Sequence, residues 1–166
     1  DVRYNTIRWL FHPGSGYAVG PSRANPYTGE LYDADIRISA DFVRGFFKSH
    51  TDFVKPLITP ATLDFDDDEY EEKKLSKSCN YGHHLQEEMA TAWDLMKISK
   101  TIEGSEEELK EYIHNGLVDL VLHEVGHTLG LRHNFKASSI YSIEQLSDPA
   151  FTKTYGISGS VMDYQP

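Results

Sequence analysis

The chain of 166 residues holds a single cysteine, Cys79, so no internal disulfide can staple it and its redox compartment stays open. No stretch approaches the roughly 20 consecutive apolar residues that carry a helix across a bilayer, which excludes a transmembrane segment of that kind. Basic residues are in deficit: Lys and Arg total 16 against 26 Asp and Glu, for a net charge of −10. With no basic stripe, binding to nucleic-acid phosphates is not expected. The acidity is local, because the run DFDDDEYEE between Asp64 and Glu72 carries much of it. The first residues, Asp1-Val2-Arg3-Tyr4-Asn5, show neither an initiator methionine nor the basic-then-apolar pattern of a signal peptide. The chain therefore reads as a mature or excised part of a longer protein with flanking domains. Against these absences stand a hydrophobic fraction of 39 %, with Tyr 10, Phe 8 and Trp 2, enough to build the core of one globular domain over residues 1–166.

The first forty residues read as strands and turns. Thr6 to Phe11 is β-prone, Pro13-Gly14-Ser15-Gly16 breaks it, and Asn25-Pro26-Tyr27-Thr28-Gly29 is a second turn signal. Ala34, Ile36, Ile38 and Ala40 alternate with Asp35, Arg37 and Ser39, the period of a strand with one buried face. Phe42, Val43, Phe46 and Phe47 fall at helical spacing and predict a short helix, which Pro56 and Pro60 end. The acidic run lies in the long connection that follows and reads as a solvated loop. Calcium binding is the sharper alternative, but the spacing is not that of an EF-hand loop. Leu85, Met89, Trp93 and Met96 share one stripe of the next helix.

The longest helix is expected to start near Ser105, because Ser105 and Glu108 have the spacing of a capping box and three acids meet the positive end of the dipole. Leu109, Ile113, Leu117, Leu120 and Val121 form its apolar stripe and lead into His-Glu-Val-Gly-His-Thr-Leu-Gly-Leu-Arg-His over residues 123–133. His123 and His127, four apart on a helix, stand about 40° apart around its axis and can share one ion. Zinc in a catalytic site takes three protein ligands and leaves a fourth position for water, and His133 is the obvious third ligand. On a straight helix His133 would lie about 15 Å along the axis from His123, so the chain must turn back. Gly130 stands where that turn is needed, since glycine reaches positive φ without steric cost. Glu124, about 100° round from His123, is the expected general base for hydrolysis by a zinc-activated water.

His123-Glu124-x-x-His127-x-x-Gly130-x-x-His133 resembles the zinc motif of the metzincin clan of metallopeptidases. Ser160-Val161-Met162-Asp163-Tyr164 resembles the methionine turn that this clan places beneath its metal, which makes Met162 the apolar floor under the imidazoles. Tyr164 matches the Met-x-Tyr arrangement in which a tyrosine ligates zinc or donates to the oxyanion; the plainer alternative is a packed wall residue. Ile7-Arg8-Trp9, Gly20-Pro21-Ser22, Asn25 to Glu30 and Leu131 to Ser138 are similar to the catalytic region of a family of large, secreted or outer-membrane-associated Gram-negative zinc metallopeptidases. That resemblance implies an extracytoplasmic endopeptidase with one zinc ion per chain and a polypeptide substrate. Gly16 to Pro21, with Ala18, Val19 and Gly20 at its centre, resembles the edge strand on which metzincins bind substrate backbone, or else is an ordinary hairpin arm. Relative to the clan, no strand and long helix precede Thr6, and the chain stops four residues after Met162.

His83-His84 reads as a solvated helix start rather than a second metal site, and Cys79 as an ordinary free thiol rather than an inhibitory one. The expected fold is α+β: a small twisted mixed sheet with packed helices, an upper subdomain 1–133 ending with the active-site helix, and a lower subdomain 134–166 carrying the methionine turn. Two rivals to a peptidase remain on sequence alone. One is a catalytically silent zinc module that binds polypeptide or glycan; the other is a zinc hydrolase acting on a different bond.

Overall fold

The computed structural model of the chain describes residues 4–11, 18–54 and 79–164. Four strands come first: β1 Thr6–Leu10, β2 Ala18–Val19, β3 Ser22–Ala24 and β4 Leu31–Ser39. β4 is the centre of the sheet. β1 pairs with it in parallel, setting Ile7 opposite Ile36 and Trp9 opposite Ile38. β2 and β3 pair with it antiparallel in one continuous register, Ala18 opposite Ile38 and Ser22 opposite Ala34, before a bulge at Arg23 and Ala24. Between them the Asp35 amide donates to the Pro21 carbonyl at 2.9 Å, so β2 and β3 act as one interrupted strand along a single edge of β4. The expected turn before β4 forms on Asn25, whose side-chain oxygen accepts from the Tyr27 amide at 2.9 Å, and closes through Gly29 at φ 74°.

The alternation expected in β4 holds for Ile36, Ile38 and Ala40, which are buried, but fails at its polar end. Ser39 is fully buried because the strand turns directly into a helix there and its hydroxyl accepts from the Asp41 amide at 3.2 Å. Asp33 is buried as well, held by a bidentate pair with Arg23 on the neighbouring strand.

Three longer helices pack on this sheet: α1 Asp41–Val54, α2 Tyr81–Ile98 and α3 Glu106–Thr128. The stripes read from the sequence are mostly the faces they bury, but Phe47 of α1 is exposed, and Val43, Met96, Leu117 and Val121 are only partly buried. Phe42 and Phe46 of α1, Leu85, Met89 and Trp93 of α2, and Leu109, Ile113 and Leu120 of α3 join Ile36 and Ile38 in one core. Phe46, Trp93 and Tyr112 meet at its centre with ring centroids 5.3–6.5 Å apart. The Ser105 capping box is complete, with the Ser105 hydroxyl accepting from the Glu108 amide and the Glu108 carboxylate accepting from the Ser105 amide. After α3 come a 3-10 turn, Ala137–Ser139, and two short helices, α4 Ile143–Leu146 and α5 Pro149–Tyr155. The molecule is thus α+β with a small mixed sheet and packed helices, and no described helix is long and apolar enough to cross a membrane. The turn at Pro13 to Gly16, the prolines at 56 and 60, and the acidic run with its calcium alternative lie outside the described residues.

Candidate metal centre

The last turn of α3 is where the local sequence matters most. The helix ends at Thr128, and Gly130 takes φ 87°, in the region where a side chain would be strained. The Gly130 amide donates to the His127 carbonyl and the Leu131 amide to the Gly126 carbonyl, both at 3.0 Å, which is the double bond pattern of a Schellman turn. The chain reverses, and His133 comes back beside the helix with its Nε2 3.1 Å from the Nε2 of His127. The turn that sequence spacing demanded of Gly130 is present.

Each helical imidazole is oriented by a backbone carbonyl. His123 Nδ1 donates to the Val161 carbonyl at 2.7 Å and His127 Nδ1 to the Leu131 carbonyl at 3.1 Å, which leaves both Nε2 lone pairs free for a metal. His123 is fully buried, with the Tyr81 ring stacked on it at 4.1 Å. Burial and the neighbouring histidines push its pKa down to about 4, and burial with His127 lowers that of His133.

Met162 lies where the methionine turn was expected. It is buried, and a Cβ placed on Gly126 would stand 2.2 Å from its sulfur, so the thioether packs flat on α3 between the two helical histidines in sequence. The turn is tied down by buried Asp163, which accepts from the Ser138 amide at 2.6 Å and from the Ser158 hydroxyl at 3.2 Å. The Asn134 amide donates to the Met162 carbonyl at 2.9 Å, joining this turn to the segment that carries His133.

Glu124 is fully buried, and neither carboxylate oxygen has a hydrogen-bond partner of good geometry among the described residues. Burial pushes its pKa up to about 7, and the Cys79 thiol and Gly20 backbone pull it only partly back. Gly20 follows β2 directly and passes over α3 so closely that a Cβ there would stand 2.3 Å from the Glu124 carbonyl oxygen. Ala18 is fully buried and Val19 partly so, and among the described residues β2 pairs only with β4. The Tyr164 hydroxyl donates to Asn80 Oδ1 at 2.7 Å, and its ring meets His133 edge-on at 4.9 Å. Burial raises the pKa of this phenol, which stays protonated.

Cys79 corrects the sequence reading. It is not an ordinary free thiol: its Sγ lies 3.5 Å from His123 Nε2 and 3.4 Å from His133 Nε2, and 3.8 Å from the Tyr164 hydroxyl. Cys79, His123, His127 and His133 present one ligand atom each, all within 4.8 Å of one another. Asn80 and Tyr81, which follow, were also missed. Asn80 precedes α2 without capping it and gives its side chain to Tyr164 instead, while Tyr81 adds a hydrogen bond to Asp119 to its stacking on His123. A Cys-Asn-Tyr at a helix start carries no metal-ligand spacing, so only the isolation of the cysteine marked this segment. His83 pairs loosely with Glu87 at 3.6 Å, both exposed, consistent with a solvated helix start.

The donor set fits a zinc ion. Zinc–nitrogen bonds of about 2.0–2.1 Å in a tetrahedron hold nitrogens about 3.3 Å apart, and a zinc–sulfur bond of about 2.3 Å sets sulfur about 3.6 Å from each. Three of the separations, 3.1, 3.4 and 3.5 Å, lie close to those values, and the four donor atoms as a set fall within 4.8 Å of one another. Fold and donors together form a candidate zinc-binding site. Residues 105–166, from the capping box through the methionine turn, match a family model described as Met-zincin. Neither curated proteins nor solved structures gave a match.

Proposed function

We propose that the chain is a zinc-dependent endopeptidase. The observation that carries this reading is the convergence of three imidazole nitrogens beside Glu124, a buried carboxylate on the helix of His123 and His127 with no hydrogen-bond partner of good geometry among the described residues. A buried acceptor left without a partner costs about 1–3 kcal/mol. A silent module that merely held zinc and gripped polypeptide or glycan would gain nothing from keeping Glu124 there, which favours the catalytic reading.

His123, His127 and His133 would hold one zinc ion per chain, which when bound would supply Lewis-acid chemistry toward the scissile carbonyl and water. Glu124 takes the proton of the attacking water and delivers it to the departing amine, a role suited to a carboxyl whose pKa burial has raised toward neutrality. Tyr164, whose hydroxyl lies 3.8 Å from the Cys79 sulfur beside the donor cluster, would turn from Asn80 to steady the oxyanion. Extended polypeptide adds to the β2 edge, where Gly20 brings the strand against the backbone of Glu124. The resemblance to large secreted or outer-membrane-associated bacterial peptidases supports an extracytoplasmic setting.

Glu124→Gln tests the assignment, since the amide is near-isosteric but cannot accept the proton. Hydrolysis of a proteome-derived peptide library should fall about 10²–10⁴-fold with zinc content unchanged. Activity within a few-fold of the parent chain would refute it.

A further inference from the structure

Resting on the zinc reading above, we infer that Cys79 is a fourth protein ligand, closing the metal position that hydrolysis needs open, so that the chain in this conformation is latent. Zinc sites with four protein ligands are closed and structural, whereas catalytic ones keep one position for water. Here the Cys79 sulfur stands 3.5 Å from His123 Nε2 and 3.4 Å from His133 Nε2, separations suited to a sulfur and two nitrogens on one ion, and within 4.8 Å of His127. Cys79 stands 44 residues from His123 and lies outside the segment that matches the Met-zincin family model.

The surroundings agree. Cys79 adjoins the Glu124 carboxylate as well as the imidazoles. Glu124 has no solvent exposure in this arrangement. The segment is gripped from both sides, by Asn80 on the Tyr164 hydroxyl and by Tyr81 on His123 and Asp119. Tyr81 and Asn80 hold through their own contacts, independent of the Cys79 side chain. Ligation breaks the S–H bond, forms an S–Zn bond and releases the proton to solvent; opening reverses both.

Because Cys79 is the only cysteine, thiol chemistry reports on it alone. The full chain should be loaded with zinc or cobalt(II), and its alkylation by iodoacetamide followed by mass spectrometry. Zinc should slow alkylation about tenfold or more relative to the metal-free chain, since ligation and attack on the reagent compete for the same thiolate sulfur. The cobalt form should show a thiolate-to-metal charge-transfer band that Cys79→Ser abolishes. Cys79→Ser should still bind zinc through three histidines and hydrolyse peptides about tenfold faster or more, because water now reaches the fourth position. Metal bound with no such band, or alkylation as fast with zinc as without, overturns the closure while leaving the zinc reading intact. Failure of both the parent chain and Cys79→Ser to bind metal overturns the two together. The alkylation and cobalt measurements on the parent chain stand even where Cys79→Ser folds poorly.

Discussion

Gly130 permits a quantitative test of the turn that completes the metal site. Its φ of 87° lies where an L-residue with a Cβ pays about 1–2 kcal/mol, and a Cβ there would meet nothing within 4 Å, so Gly130→Ala imposes conformational strain and no clash. Three hydrogen bonds oppose any opening of the turn: Gly130 to His127, Leu131 to Gly126, and His127 Nδ1 to the Leu131 carbonyl. At about 0.5–1.5 kcal/mol each they outweigh the strain, so the turn holds and the cost appears as lost stability. The melting temperature of the metal-free Gly130→Ala chain should fall about 2–8 °C, from roughly 2–4 °C per kcal/mol at this size. Zinc affinity, measured by competition with a chelating dye, should stay within about threefold, because the turn persists with and without metal. Gly130→Pro differs in kind. Proline locks φ near −65° and removes the amide that bonds His127, so the reversal cannot form and His133 cannot return to the helix. Its zinc affinity should fall at least tenfold. An unshifted melting temperature in Gly130→Ala, or undiminished zinc affinity in Gly130→Pro, would refute this account of the turn.

Two further outcomes follow from contacts around the site. Gly126→Ala drives a Cβ into the Met162 sulfur and should cost about 1–3 kcal/mol of stability in chemical denaturation. Adding Met162→Ala makes room, so the double variant should be more stable than the two losses combined; simple additivity would mean the two side chains do not meet. Tyr164→Phe keeps the ring against His133 but removes the hydroxyl, and kcat should fall about 10²-fold with KM and zinc content little changed. An unaltered kcat would leave Tyr164 as a wall of the site.

What was legible in the sequence is what short-range geometry dictates. The stripe from Leu109 to Val121 can be buried in only one orientation of a helix, and Ser105 with Glu108 closes its start through bonds spanning three residues. His123, His127 and Gly130 lie within two turns, so a 3.6-residue period and one positive φ suffice to bring His133 back beside them. The alternation of Ile36 and Ile38 likewise reports a buried sheet face, whereas Ser39 breaks the pattern because the next residues turn into α1. Tertiary structure decided everything that depends on separate segments meeting. Nothing in the residues of β1 says that it pairs in parallel with β4, and nothing in those of β2 and β3 says that they share its edge. Only packing of α2 against α3 brings Cys79 to imidazoles 44 and 54 residues away, and Asn80 to Tyr164 across 84. A lone thiol has no period and no local partner, so its chemistry is set by the side chains the fold gathers around it.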